Sequence, residues 1–319
     1  MSAPKPLGAD EFGEIARLFR PLTGGAPGAF GLMDDAAVVP QRPGFDLVVT
    51  KDAIVEGVHF PIGEAPGLVA QKLLRANLSD LAAKAAEPFA CFLAVAWPQA
   101  FGPDERAAFA GGLGEDLQAF DLNLLGGDTV VTPGPFWASL TAMGWVPQGG
   151  MVRRAGAQPG DILWVSGTIG DGTLGLAAVR GEVDDREGWL ADRYRRPQPR
   201  LDLRATLRTG ASAAADVSDG LIADAGHIGE ASGAGIVLDL DRLPLSDAAR
   251  RWLDGQPDRA KGLLRLATGG DDYEIVCAAR AGVAMPGFTA IGEVTQGEGV
   301  KVSAAGEARD AGAGGWRHL

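Results

Sequence analysis

Residues 213–220 read AAADVSDG and decide how the chain is organised. An apolar strand ends here in an Asp-bearing turn. Asp216 and Asp219 bracket that turn, and a helix is predicted to start at about Asp219. The reading extends outward in both directions. Downstream, IVLDL (236–240), YEIVCAA (273–279) and FTAIGEV (288–294) are predicted strands. Upstream lie DILWVSG (161–167), also a strand, and helices near 173–180 and 200–209. In the N-terminal half, residues 9–20 and 103–120 are predicted helices. A long helix, whole or broken, opens at Pro66 and runs through LVAQKLLRANLSDLAAKAAE, where apolar residues recur at helical spacing. AAVVP (36–40), DLVVT (46–50), FACFLAVAW (89–97), NLLGGD (123–128) and FWASLTAMGWV (136–146) are predicted strands. Mixed strands and helices in both halves give an α/β (α+β) class. A length of 319 residues exceeds one core of ordinary size, and VPQGG (146–150) is a plausible boundary. The expected domains are therefore 1–148 and 149–319, with a loosely shared pattern of strands ending in Asp-containing loops.

Composition narrows the function classes. The balance of 29 Lys+Arg against 41 Asp+Glu gives a net charge of −12. An acidic surface repels nucleic-acid phosphates and anionic lipid, so neither is an expected partner. Cys91 and Cys277, the two cysteines, sit in apolar, strand-like stretches and read as buried free thiols, not a disulfide or metal framework. The N-terminal residues lack the layout of a signal peptide, and no apolar run approaches the ~20 residues of a membrane span. A cytoplasmic location is expected.

The aspartates carry the chemistry. Asp34-Asp35 precede AAVVP, Asp52 follows DLVVTK, Asp80 lies in helical NLSD, and Asp128 ends NLLGGD. Asp216 and Asp219 hold the DVSDG turn, and Asp271-Asp272 follow TGG. Most have Gly, Ser or Thr neighbours, in loops where carboxylates can converge. Any one of them is equally at home as a turn or helix-capping residue. As a set they point further: converging carboxylates need cations, and hard oxygen donors suit Mg²⁺, which takes substrate phosphates among its ligands. The chain holds no Gly-Lys dipeptide, so there is no P-loop. Gly170-Asp-Gly172-Thr-Leu-Gly175 matches a dinucleotide fingerprint formally, but no second strand ending in an acid follows, and a Gly-rich turn into a helix fits better. His227 reads as structural within a helix. His59, just beyond Asp52, is a candidate for the same cleft.

In order, FGLMDDAAVV, VVTKDAIVEGVHF, NLSDLAAKAAEP, LLGGDT, RRAGAQPGD, RRPQPRL, DVSDGLIADAGHI and TGGDDYEI resemble the thiamine-monophosphate kinases, from about residue 10 to GWRHL at the C-terminus. That resemblance implies the two-domain fold of the aminoimidazole ribonucleotide synthetase superfamily. Its N-terminal mixed sheet pairs in a homodimer, its C-terminal domain is α/β, and ATP binds near the domain junction. It also implies Mg²⁺-assisted, in-line transfer from ATP to thiamine monophosphate. By position, the implied metal residues are Asp35, Thr50, Lys51, Asp52, Asp80, Asp128, Asp216 and Asp219. The ATP contacts are Gly127, Asp128, Arg154 and Ser218, and the thiamine-phosphate contacts His59, Asp271 and Trp316. Asp80, Asp128 and Arg154 are the expected catalytic set.

Three departures stand out: Met33 for a usual Gly, Lys51 for Thr or Ser, and Asp271 for Glu. An ammonium cannot ligate Mg²⁺. Lys51 is therefore expected to bring a fixed positive charge, paired with Asp52 or a phosphate oxygen. Within the superfamily, no Cys precedes Cys91, as selenophosphate synthetases would require. The chain ends in Leu319, where hydrogenase-maturation relatives end in a catalytic Cys. Aminoimidazole ribonucleotide synthetase remains the enzymatic rival, and a non-catalytic thiamine-phosphate or nucleotide-binding protein the alternative outside enzymes.

Overall fold

A computed structural model describes residues 11–310, apart from the side chain of Glu11. The chain forms two compact units, Met1–Asn77 with Pro88–Gln148, and Leu78–Glu87 with Gly149–Leu319. The second unit thus also takes a ten-residue stretch of the N-terminal half.

The first unit holds α1 (Glu11–Leu18), β1 (Phe45–Val55), the first part of α2 (Pro66–Ala83), β2 (Glu87–Pro98), α3 (Pro103–Ala119), β3 (Asn123–Thr132) and β4 (Trp137–Pro147). Its sheet has the order β1-β4-β2-β3, with β1 antiparallel to β4 and β2 parallel to β3. Pro66 opens α2, where a missing N–H costs nothing. The helix is unbroken to Ala83. α2 and α3 approach closely at Gly112, where a Cβ would strike the Gly67 backbone. A buried Arg75–Asp116 ion pair at 2.6 Å joins the same two helices. Trp97, Phe101, Phe109 and Phe136 stack nearby with centroid distances of 5.1–6.4 Å.

The expected strand at AAVVP is absent. Residues 36–40 belong to no sheet, and the Val38 N–H donates to the Gly28 carbonyl at 2.9 Å. β-branched residues favour an extended chain, but a strand needs a neighbouring strand to bond. Two other strands run further than predicted. β1 continues through Lys51-Asp52-Ala53-Ile54-Val55, and β3 continues through Thr129–Thr132. Asp52 and Asp128 therefore stand within strands, opposite Leu140 and Ala94.

The second unit contains β5 (Ile162–Ser166), α4 (Asp171–Val179), α5 (Trp189–Arg195), α6 (Arg204–Gly210), β6 (Ala211–Val217), α7 (Leu221–Ser232), β7 (Gly235–Asp239), α8 (Asp247–Asp254), α9 (Arg259–Thr268), β8 (Glu274–Ala279), β9 (Phe288–Thr295), β10 (Val300–Ala304) and β11 (Glu307–Arg309). Its seven strands are ordered β11-β10-β7-β9-β5-β8-β6. β8 is buried along its whole length and divides its side chains by the two-residue period of a strand. Val276 and Ala278 join the core with α7 and α9, while Ile275, Cys277 and Ala279 join a second core with Leu207 and Met285. With both faces covered, the 216–220 turn and the loop before β8 stand on a rigid base. Cys91 and Cys277 are buried free thiols, and burial alone pushes Cys91 up to about 12.

Candidate functional site

The second unit builds its turn from inside. β6 delivers the buried Asp216 and then Ser218-Asp219-Gly220. Gly220 has φ +123°, and a Cβ there would strike the Thr268 backbone. One turn into α7, a single oxygen of the buried Asp224 accepts the N–H groups of Ser218, Asp219 and Gly220, each at 3.1 Å. Those are donors that a strand-to-helix turn would otherwise strand without partners. Burial, then Asp219, pushes Asp224 up to about 7.

The loop before β8 is bonded to this turn. The Asp271 N–H donates to Ser218 O at 2.9 Å and the Tyr273 N–H to Val217 O at 2.8 Å. Asp271 and Tyr273 have φ +68° and +51°, left-handed values that cost ordinary residues about 1–3 kcal/mol each. A buried frame holds them there. Asp272 accepts the Gly170 and Gly172 N–H groups at 2.8 Å each. Burial nevertheless raises its pKa well above the ordinary carboxylate range. Glu274, fully buried, accepts from Arg200 Nε and Ser166 Oγ at 2.6 Å and from Arg193 at 3.2 Å, and Arg193 also reaches the Asp272 carbonyl. Gly172 packs on the Asp271 backbone and Gly175 on Leu190 and Tyr194. The G-x-G-x-x-G stretch is thus a packing turn, as its context in the sequence favoured. Ser218, Asp219 and Asp271 come together on one surface.

Backbone bonds tie the end of α2 to the 152–153 segment and that segment to β6. The Lys84 N–H donates to Asp80 O, the Val152 N–H to Lys84 O, and the Ala214 N–H to Arg153 O. The Lys84 Nζ donates to Ala214 O at 2.8 Å; burial lowers its pKa, while Asp216 and Asp80 favour its charged form. Asp219, Asp224 and His227 present ligand atoms within 4.8 Å of one another. His227, read from the sequence as structural, is exposed beside Asp219. Asp80 and Asp216 are not part of that grouping; like Asp219 they offer hard carboxylate oxygens, donors of the kind that suits Mg²⁺.

In the first unit, Asp35, Gly127 and Asp128 line one cavity of about 360 Å³, whose apolar wall includes Phe92, Leu124 and Leu125. Gly127 has a local reason to lack a side chain, since a Cβ would strike the Leu93 carbonyl. Thr50 and Asp52 share the half-buried face of β1, and the Asp52 N–H donates to Asn77 Oδ1 at 3.2 Å. The Val55 N–H donates to His59 Nδ1 at 3.0 Å, which places the proton of the neutral ring on Nε2.

Lys51 does not pair with Asp52. Side chains alternate along a strand, so Lys51 lies on the exposed face with Leu47 and Val49, opposite Thr50 and Asp52. Its Nζ donates to Thr141 Oγ1 at 3.4 Å. Trp316 lies outside the described residues.

Two family models match the chain: AIR synthase related protein, N-terminal domain, over residues 33–146, and AIR synthase related protein, C-terminal domain, over 158–305. The chain is 55% identical to the thiamine-monophosphate kinase of Caulobacter vibrioides over 327 aligned residues, covering 99% of this chain and 93% of that protein. It resembles the crystal structure of thiamine-monophosphate kinase from Stenotrophomonas maltophilia K279a with TM-score 0.76 and 39% identity, over 87% of this chain and 91% of that one. It is also similar to AaThiL complexed with AMPPCP and TMP, with TM-score 0.79, 28% identity and full coverage of both chains.

Proposed function

The chain belongs to the thiamine-monophosphate kinase family, and from that premise we infer that it transfers the γ-phosphoryl group of ATP to thiamine monophosphate, giving thiamine diphosphate and ADP. The structural observation that supports this reading is the Asp271 N–H bond to Ser218 O, since Asp271 is the residue we propose for the acceptor and Ser218 and Asp219 those we propose for nucleotide and metal.

The acceptor phosphate is largely ionised at neutral pH, its second pKa being about 6, so it attacks without a general base. The protein's task is to bring two polyanions together and keep them in line. Asp35, Thr50, Asp52 and Asp128 of the first unit, and Asp80, Asp216 and Asp219 of the second, would hold Mg²⁺. When bound, Mg²⁺ supplies neutralisation of phosphate charge and stabilises the transition state. Gly127, Asp128, Arg154 and Ser218 would contact ATP, with Arg154 offering a planar donor fork to phosphate oxygens. His59, Asp271 and Trp316 would take the acceptor. A carboxylate and an aromatic face suit the thiazolium cation. A homodimer through the first unit's sheet is consistent with Leu47 and Val49 standing exposed on edge strand β1. No helix of the described residues is long and apolar enough to cross a membrane, and we place the enzyme in the cytoplasm.

The test is ADP release with ATP, Mg²⁺ and a panel of acceptors. Thiamine monophosphate should give ADP and thiamine diphosphate one for one, and free thiamine should turn over poorly. Turnover of free thiamine without the monophosphate, or of an aminoimidazole precursor instead, would overturn the assignment, and binding without ADP formation would identify a non-catalytic protein.

A further inference from the structure

Arg154 and Ser218, the second unit's proposed ATP contacts, are both fastened to α7. At its first turn, Asp224 accepts the Ser218, Asp219 and Gly220 N–H groups. At its last residue, Ser232 holds the loop that carries Arg154. A serine within a helix ordinarily bonds back to a carbonyl of its own helix. The Ser232 hydroxyl instead turns to the 154–157 loop. It accepts the Gly156 and Ala157 N–H groups at 3.1 Å each and donates to Arg154 O at 3.4 Å. A hydroxyl has one donor and two acceptor sites, and here all of them serve one loop. On either side the loop is fixed by backbone and core. Arg153 O accepts the Ala214 N–H at 2.9 Å, and Ala157 is fully buried in the core that α7 shares. Gly156, at φ +133°, lies where a Cβ would strike Ser212 O. Between those points, Arg154 O has Ser232 as its side-chain partner.

We propose that Ser232 is a positioning residue for nucleotide binding. It ties the Arg154 backbone to the far end of the helix whose near end holds Ser218, so that α7 sets the spacing of the two ATP contacts. Twelve residues give that spacer a length of about 18 Å. Freedom in the backbone at Arg154 becomes freedom at its guanidinium, and a planar donor fork needs alignment as well as proximity. Water can replace the bonds of the hydroxyl singly, but it leaves the loop untied from the helix. Arg154 must then be ordered when ATP binds, which weakens binding. The acceptor side is held by other groups, since Asp271 bonds to Ser218 O and Asp272 to the Gly170 and Gly172 amides. The inference rests on the reading of Arg154 as an ATP contact.

The test is steady-state kinetics of the full-length enzyme, varying each substrate in turn at saturating levels of the other, with thermal melts alongside. Ser232→Ala removes the hydroxyl and leaves a good helix former. It should raise the KM for ATP by about three- to tenfold and leave that for thiamine monophosphate in place. Ser232→Thr keeps the oxygen and should stay near wild type. An Arg154→Ala background separates positioning from general loosening: there Ser232→Ala should add nothing to the loss in ATP affinity. An unchanged KM for ATP in folded Ser232→Ala overturns the proposal. So do equal rises for both substrates, a threonine variant as poor as alanine, or a full further loss in the Arg154→Ala background. If Ser232→Ala does not fold, Ser232→Cys, with a weaker hydrogen-bonding group of similar size, carries the same comparison. Arg154→Ala alone separates the two levels. If it raises the KM for ATP while Ser232→Ala does not, only the positioning role fails. If it leaves that KM unchanged, the ATP reading of Arg154 fails and takes this inference with it.

Discussion

In the second unit, the residues proposed to meet ligand stand on turns fixed from behind. Ser218 and Asp219 are held by three N–H bonds to one oxygen of Asp224, and Asp271 by Asp272, Glu274, Arg193 and Arg200. In the first unit, Asp34 and Asp35 lie on an exposed stretch outside any sheet, where Val38 bonds back to Gly28, and Asp128 is exposed on β3. The second unit therefore presents preformed geometry that binding need not order. The first unit offers carboxylates with fewer constraints, whose arrangement a bound cation and phosphate would complete. Preorganised groups lose less on binding than groups ordered by it.

The largest expected effect is on catalysis and falls on both units alike. Asp80→Asn and Asp128→Asn each remove a proposed metal ligand but keep the side-chain shape, so each should lower turnover by about 100-fold or more with unchanged melting. Near-normal rates at saturating Mg²⁺ would reduce both to structural residues. Stability should then divide the units. Asp272→Ala leaves the Gly170 and Gly172 amides buried without their acceptor and should cost about 2–4 kcal/mol by chemical denaturation. Asp35→Ala should stay within about 0.5 kcal/mol. Equal losses at the two positions would break the comparison. Trp316→Ala should raise the KM for thiamine monophosphate by about 2- to 30-fold and leave that for ATP in place. An effect confined to ATP would remove the ring from the acceptor. The smallest effect belongs to Lys51. Its ammonium faces Thr141 across the exposed side of the sheet, so Lys51→Ala and Lys51→Thr should stay within about twofold of wild type across a Mg²⁺ titration. A loss in the alanine variant that threonine repairs at high Mg²⁺ would restore Lys51 to the metal's neighbourhood.

The 216–220 turn was legible because its signal is local: apolar residues, then Asp, Ser, Asp and Gly, then a helix. The α2 helix was legible from Pro66 and its apolar spacing. Where β1 and β3 end was not. Lys51–Val55 and Thr129–Thr132 carry strand-forming residues, but Asp52 and Asp128 resembled loop carboxylates until strand partners were visible. AAVVP failed in the opposite sense, having strand-like residues and no partner strand. α8 and α9 were missed although Ser246 and Asp258 cap them by accepting the N–H groups of Ala249 and Lys261, a local signal of the kind that marks helix starts. The division of labour between Asp271 and Asp272 could not be read from two identical letters. It follows from burial, which sends one carboxylate inward to two amides and leaves the other half-buried beside Ser218.

The central claim, direct transfer to an acceptor already phosphorylated, is tested by following γ-labelled ATP through a single turnover with thiamine monophosphate and Mg²⁺. The terminal phosphoryl group of thiamine diphosphate should carry all the transferred label, with none on the protein at any time. Label appearing on the protein, or in inorganic phosphate with no thiamine diphosphate formed, would contradict it.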